Sequence, residues 1–174
     1  MSRSSKRCGK MRGRSRVNVS KDFEKLFELL NAHGVKALVV GGYAFTFHAK
    51  PRYTKDIDVW VEPTPENAER VLQALEDFGF GSLPLSIEDF TEPGSIVQLG
   101  QPPHRVDLMT SLKSLTFEEA WKGRTEAHYG NERVFYLGLD DLILNKKAVA
   151  RPQDRVDVRT LVSYAKRRNA RKPE

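Results

Sequence analysis

An apolar strand pattern that carries two aspartates constrains the fold of this chain more than any other feature. The segment TKDIDVWV covers residues 54–61, and its second half is otherwise apolar. Side chains alternate across a strand, so Asp56 and Asp58 project from one face while Ile57 and Val59 point into a core. Two neighbouring carboxylates repel each other unless a cation joins them. The pattern therefore predicts a bound divalent ion, and carboxylate oxygens favour Mg²⁺ or Mn²⁺.

A third aspartate lies in another short apolar segment, Arg105–Met109. If this segment pairs beside the first strand, Asp107 meets Asp56 and Asp58 at one edge of the sheet. Three carboxylates can bridge two metal ions about 3.5–4 Å apart, which is the arrangement that drives in-line phosphoryl displacement. The alternative is an ordinary half-buried strand whose polar face is solvated.

A strand–glycine–helix order precedes the acidic strand. Gly41 and Gly42 follow the apolar run ALVV and open a predicted helix. Glycine lets the backbone approach a phosphate closely and helix N-termini attract anions, although a glycine pair is equally common in a plain turn. Arg52 and Thr54 lead into the strand. Arg52 either clamps a phosphate or pairs with the nearby aspartates, and the sequence leaves both interpretations open.

The hydrophobic periodicity predicts one α/β (α+β) domain, with a mixed β-sheet flanked by helices and with helices at the C-terminus. We predict this domain over residues 18–165, with a disordered basic tail at 1–17 and a basic tail at 166–174. The predicted helices and strands alternate in the order helix, strand, helix, strand, helix, followed by four strand segments with one short helix among them, and two helices around Arg151-Pro152.

Composition limits the protein class. The chain has 174 residues, of which 39% are hydrophobic and 30% charged. No apolar run approaches the roughly 20 residues that span a bilayer, so we expect no membrane association. The single cysteine, Cys8, cannot form an internal disulfide, which favours a cytoplasmic location.

The net charge of +6 is concentrated at the two ends of the chain. Residues 1–16 contain seven basic residues and no acid, and residues 165–174 contain five basic residues and one acid. Such ends either attract a polyanion such as RNA or are simply solvated.

Two segments carry a family resemblance. GGYAFTFHAKPRYTKDIDVWV resembles the signature of nucleotidyltransferases of the DNA polymerase β superfamily, in which a glycine pair opens a helix and an Asp-x-Asp follows on the next strand. Its fuller form is similar to small nucleotidyltransferases related to abortive-infection and type IV toxin–antitoxin toxins. LILNKKAVARPQDRVDVRTL resembles the K-x-x-x-x-R-x-x-D-x-x-D element of that group, which Lys146, Arg151, Asp154 and Asp157 match. The resemblance covers residues from about 20 to 165.

The resemblance implies metal-dependent transfer of a nucleoside monophosphate from an NTP to an acceptor. Asp56, Asp58 and Asp107 would hold the metal ions, with Asp107 also serving the acceptor hydroxyl. Lys146 would neutralise triphosphate charge, and Asp154 would lie near the nucleotide or orient Lys146. The remaining predicted nucleotide-binding residues are Gly41, Gly42, Arg52 and Thr54.

The acceptor implied is a tRNA or other RNA end, a protein hydroxyl or a small molecule, and the resemblance to toxins implies an antitoxin protein as a partner. The chain is too short for a processive polymerase, so transfer of one or a few nucleotides is expected. Two other functions fit the same residues: a non-catalytic module that binds nucleotide or RNA, and a phosphohydrolase.

Overall fold

The computed structural model describes residues 20–170, so the predicted basic tail at 1–17 lies outside the described residues. The helices and strands follow the predicted order closely. The helices are α1 (Lys21–Ala32), α2 (Gly41–His48), α3 (Pro65–Leu75), α4 (Phe117–Lys122), α5 (Leu139–Val149) and α6 (Pro152–Asn169). The strands are β1 (Ala37–Val40), β2 (Asp56–Val61), β3 (Ile96–Leu99), β4 (Arg105–Met109), β5 (Thr125–Tyr129) and β6 (Glu132–Tyr136).

The six strands form one mixed sheet in the order β3-β4-β2-β1-β6-β5. β2 runs parallel to β4 and antiparallel to β1, and the hairpins β3–β4 and β5–β6 are antiparallel. The parallel pairing of β1 with β6 is short, since Val39 and Tyr136 are its single registered pair. The predicted fold class, a mixed sheet flanked by helices, is confirmed.

The hydrophobic core contains apolar side chains from both helices and strands. α1 buries Phe23, Leu26, Phe27 and Leu30, which recur at helical spacing and therefore share one face of the helix. β2 buries Ile57, Val59 and Val61 on the side of the strand opposite the two aspartates, and it buries Trp60 on the same side as them. Burial of these side chains is the main stabilising contribution to the fold.

Two helix ends lie near glycines, and a third falls inside the predicted C-terminal tail. α2 begins at Gly41 itself, because Gly41 has a φ of +61° and turns the chain directly from β1 into the helix. α3 ends at Leu75, and a wide helical turn then leads to Gly79. α6 continues to Asn169, so the first residues of the predicted C-terminal tail are helical. Within residues 20–170, no helix is both long and apolar enough to cross a bilayer.

Candidate active site

The register between β2 and β4 brings the predicted acids together. Asp58 lies directly opposite Asp107, and Asp56 lies opposite Arg105. The predicted pairing of the two acidic segments is therefore confirmed. Because Asp56 and Asp58 are two residues apart on one strand, their side chains share a face with Asp107.

The guanidinium of Arg105 lies between two of the three acids. Its Nη2 donates to Asp56 Oδ2 at 2.6 Å, and its Nε donates to Asp107 Oδ1 at 3.0 Å. Nη2 also reaches Asp107 Oδ2 at 3.2 Å. Such fork-shaped, charge-assisted hydrogen bonds are among the stronger ones in proteins. Arg105 therefore compensates Asp56 and Asp107 without any other cation.

Asp58 is less well compensated. Burial raises the pKa of its carboxyl from 3.8 to about 6, and the charges of Asp107 and Asp56 add to this effect. The backbone N–H of Gly42 donates to Asp58 and, with Arg105, partly opposes the rise in pKa. Hence Asp58 retains repulsion that an additional cation would relieve.

The glycine pair fits closely against the residues of the acidic strand. A Cβ at Gly41 would collide with the Asp58 carboxylate, and a Cβ at Gly42 would lie 2.9 Å from Thr54 Oγ1. Thr54 Oγ1 itself donates to the backbone oxygen of Asp56 at 3.2 Å. The glycines thus allow α2 to start immediately beside the carboxylates.

The donor set fits a divalent ion. Asp56 Oδ1 is buried without a hydrogen-bond partner in the described part of the chain, and all three side chains offer hard oxygen ligands. Within residues 20–170, however, no group of three or more His, Cys, Asp or Glu side chains is already clustered closely enough to hold a metal. Metal binding would therefore require the Asp56, Asp58 and Asp107 side chains to adjust.

An open groove of about 660 Å³ runs along the carboxylates. Its volume is in the range of small-molecule and cofactor sites. Gly41, Gly42, Arg52, Asp58, Asp107, Lys146 and Asp154 line it, so seven predicted site residues meet there. Asp56 and Thr54 are not among the lining residues, and they contact the site through Arg105 and Gly42.

A buried ionic network forms the opposite wall of the groove. Lys146 Nζ donates to Asp157 Oδ2 at 2.8 Å and to Asp154 Oδ1 at 3.1 Å. Asp157 also accepts from Arg52 Nη1 at 2.6 Å and from Gln153 Nε2 at 2.9 Å. Asp154 thus contacts Lys146, and its proposed place near a nucleotide stays a prediction. Arg52 does not pair with the strand aspartates, because Asp157 is its carboxylate partner.

Two charged residues, Arg105 and Asp157, bind the predicted site residues but have no predicted role. Arg105 is two positions before Asp107 on one strand, and this spacing alone predicts that the two side chains share a face. Asp157 is three positions after Asp154 on α6, so both carboxylates project towards α5. Only the folded chain shows that Arg52 reaches Asp157, since these residues are 105 positions apart.

The family model that matches this sequence is described as nucleotidyltransferase of unknown function (DUF6036), and it covers residues 17–165. The chain belongs to this family. The match includes every residue of the groove, and the nucleotidyltransferase prediction is thereby confirmed. No curated protein matches the sequence.

Three solved structures share the fold of this nucleotidyltransferase. The lincosamide antibiotic adenylyltransferase LnuA, bound to lincomycin, has 16% identity and a TM-score of 0.52, over 85% of this chain and 99% of its own. TM1012 of Thermotoga maritima has 16% identity and a TM-score of 0.55, over 81% and 90%. The antibiotic-resistance factor ANT(2'')-Ia has 14% identity and a TM-score of 0.51, over 82% and 81%. At these identities the similarity concerns the fold alone.

Proposed function

We propose that this nucleotidyltransferase uses Mg²⁺ or Mn²⁺ to transfer a nucleoside monophosphate from an NTP to an acceptor hydroxyl. The observation that carries the proposal is the parallel register that sets Asp58 opposite Asp107 on the wall of the groove. Family membership supports the reaction class. A bound divalent ion would neutralise the acids and polarise the transferred phosphoryl group.

The acids differ in the roles that their surroundings support. Asp58 has the raised pKa and lines the groove, so it is the acid whose charge most needs a metal ion. Asp107 also lines the groove, and we assign it to the acceptor hydroxyl, whose proton a carboxylate can accept. Asp56 would offer its buried Oδ1 as a third ligand.

Two cations of the buried ionic network, Arg52 and Lys146, would hold the triphosphate. Arg52 stacks on the Phe45 ring at 4.5 Å, and its side chain is 30% exposed, so it can reach a phosphate while Asp157 holds it in place. Lys146 is more deeply buried and shares its charge with two carboxylates. It therefore supports the triphosphate less directly than the resemblance implies.

We assign the acceptor hydroxyl to an RNA end. The feature that supports this assignment is α6, whose first turn lines the groove and whose two acids are both buried. All its exposed charges are positive: Arg155, Arg159, Lys166, Arg167 and Arg168. A cationic helix about 27 Å long suits a phosphate backbone that leads away from the groove. A toxin–antitoxin role, an antitoxin partner and a cytoplasmic location stay predictions.

The experiment that tests the function uses each of the four α-³²P NTPs with Mg²⁺ and fractionated cell extract. RNA, protein and small-molecule fractions are then resolved for label, and pyrophosphate is measured in parallel. We expect one labelled acceptor fraction and release of pyrophosphate. Asp58→Asn should abolish both, whereas the exposed Glu69→Gln should leave both unchanged. Label in small molecules instead of RNA would contradict the acceptor assignment alone.

A second candidate function is a non-catalytic nucleotide- or RNA-binding module. The observation that favours it is the Arg105 guanidinium, which already occupies oxygens of Asp56 and Asp107. For such a module, the wild type and Asp58→Asn would bind NTP equally and release no pyrophosphate. Release of free phosphate without a labelled acceptor would instead identify a phosphohydrolase.

A further inference from the structure

Arg105 binds the carboxylate oxygens that a divalent ion at this site would need. Both oxygens of Asp107 accept hydrogen bonds from its guanidinium, and Asp56 Oδ2 accepts a third. Gln98 Nε2 adds a longer contact of 3.4 Å to Asp107 Oδ2. The oxygens left outside this arrangement are the buried Asp56 Oδ1 and the carboxylate of Asp58.

The position of Arg105 is fixed by the sheet. The residue faces Asp56 across the parallel β2–β4 pair and precedes Asp107 by two positions on the same strand. Its backbone therefore cannot leave the site without breaking the sheet, and only side-chain rotation can remove the guanidinium. The Arg105 side chain is 30% exposed, so such a rotation has room.

The positive charge of Arg105 acts on both the three acids and a divalent ion beside them. With all three acids ionised, the site carries a charge of −3 without Arg105 and −2 with it. A guanidinium so close to a divalent ion would repel it, and it would also compete for the same lone pairs. Without a metal ion, the same guanidinium offsets the repulsion between the acids.

We propose that Arg105 is a positioning residue that acts as a built-in counterion. It holds Asp56 and Asp107 at the edge of the groove before a metal ion binds, and it lowers the affinity of the site for that ion. This inference rests on the proposed metal-dependent function.

The test compares the wild type with Arg105→Gln, Arg105→Lys and Arg133→Gln. Arg133 is the matched control, since it is a strand arginine whose Nη1 lies 4.0 Å from Glu126 Oε1 at the other end of the sheet. Mn²⁺ affinity is measured by calorimetry and by the electron paramagnetic resonance signal of free Mn²⁺. Melting temperatures are measured in EDTA and in Mn²⁺.

We expect Arg105→Gln to bind Mn²⁺ roughly tenfold more tightly, because it removes a full charge beside the ion. Its melting temperature should fall in EDTA and rise more on Mn²⁺ addition than that of the wild type. Arg105→Lys keeps the charge and should restore affinity close to that of the wild type, and Arg133→Gln should not differ from it. If Arg105→Gln fails to fold in EDTA, millimolar Mn²⁺ should restore folding, since the ion replaces the lost cation.

Equal or weaker Mn²⁺ affinity of Arg105→Gln would overturn the inference while leaving the proposed function intact. The same holds if Mn²⁺ does not restore folding of a variant that is unfolded in EDTA. If neither the wild type nor a folded Arg105→Gln binds Mn²⁺, the metal dependence of the proposed function fails as well.

Discussion

Asp58 differs from the other two strand acids in how its charge is compensated. Asp56 and Asp107 each accept hydrogen bonds from Arg105, whereas Asp58 accepts one from the Gly42 backbone. Its burial and its two acidic neighbours raise its pKa to about 6. The folded chain therefore pays a free-energy cost for ionising Asp58, and this cost depends on pH.

We expect Asp58→Asn to stabilise the metal-free protein near neutral pH. The folded state binds the Asp58 proton more tightly than the unfolded state does, so stability falls as pH rises from about 4 to about 6. Asparagine does not titrate. Above pH 6 we therefore expect the free energy of unfolding of the variant to exceed that of the wild type by about 2–3 kcal/mol. Urea unfolding in EDTA, with both proteins compared near pH 4 and near pH 7, measures it. A variant that is no more stable than the wild type at neutral pH would contradict the expectation.

Asp157 is the central residue of the buried ionic network on the opposite wall of the groove. Burial alone would raise the pKa of its carboxyl, but the hydrogen bonds from Lys146, Gln153 and Arg52 outweigh burial and leave the pKa lowered. The residue is 1% exposed and bridges the segment before β2 to α5. A single carboxylate thereby fixes two of the cations at the groove.

Asp157→Asn should destabilise the fold by about 3–5 kcal/mol, because it leaves the buried Lys146 and the partly exposed Arg52 with one carboxylate fewer. Denaturant unfolding with and without NTP measures the loss, and we also expect weaker NTP binding. Glu118→Gln is the control, since it removes an acid from the exposed ion pair with Lys122. No measurable change is expected from it. Equal stability of the two variants would show that the network is not a structural clamp.

At the scale of secondary-structure elements, the direct connection of β1 to α2 places the first backbone groups of α2 next to Asp58. Gly41 reaches a left-handed φ of +61°, and the missing side chain leaves room for the Asp58 carboxylate. α2 can therefore begin without an intervening loop, and its first N–H groups face the acidic strand.

Gly41→Ala should cost more stability than backbone strain alone explains. Gly34 is the matched control, because its φ is +66° and a Cβ there would meet nothing within 4 Å. Gly34→Ala should cost about 1 kcal/mol from the left-handed conformation. Gly41→Ala adds a collision with Asp58, so we expect at least about 1 kcal/mol more and loss of nucleotide transfer. Similar unfolding free energies and equal activity of both variants would argue against close packing at Gly41.

The element pattern was largely predictable from the sequence, and so was the convergence of the acids. Two short apolar strands, each with an aspartate on its polar face, place Asp58 and Asp107 together once the strands pair. The ionic partners were less predictable, because charged side chains choose among several nearby opposite charges. Arg52 illustrates this, since it lies four residues before Asp56 in the sequence yet pairs with Asp157 on α6.

At the scale of the whole molecule, charge is distributed unevenly around the groove. Asp58 and Asp107 lie on the sheet side, whereas the two acids of the opposite wall are paired with Arg52 and Lys146. The exposed charges that α6 carries away from that wall are positive. A polyanionic acceptor would meet repulsion at one side of the groove and attraction along α6. This asymmetry would favour one orientation of the proposed RNA end.

Replacing Arg155 and Arg159 by Gln should weaken RNA binding and reduce its salt dependence. Loss of two phosphate contacts should lower the slope of log K against log salt by about 1.4 for single-stranded RNA. Lys25→Gln with Lys36→Gln is the control of equal charge change, since these lysines are paired with Glu28 and Glu62 and lie outside α6. Fluorescence anisotropy at several salt concentrations measures both slopes. Equal slopes for the two double variants would exclude α6 as the RNA surface.

The single registered pair between β1 and β6 divides the sheet unequally. Val39 and Tyr136 join the four strands that carry the acids to the hairpin that leads into α5 and α6. The two walls of the groove thus belong to parts of the chain that share only a narrow seam of backbone pairing. Because this seam is narrow, the width of the cleft depends as well on the ion pair between Arg52 and Asp157, which ties the segment before β2 to α6 across it.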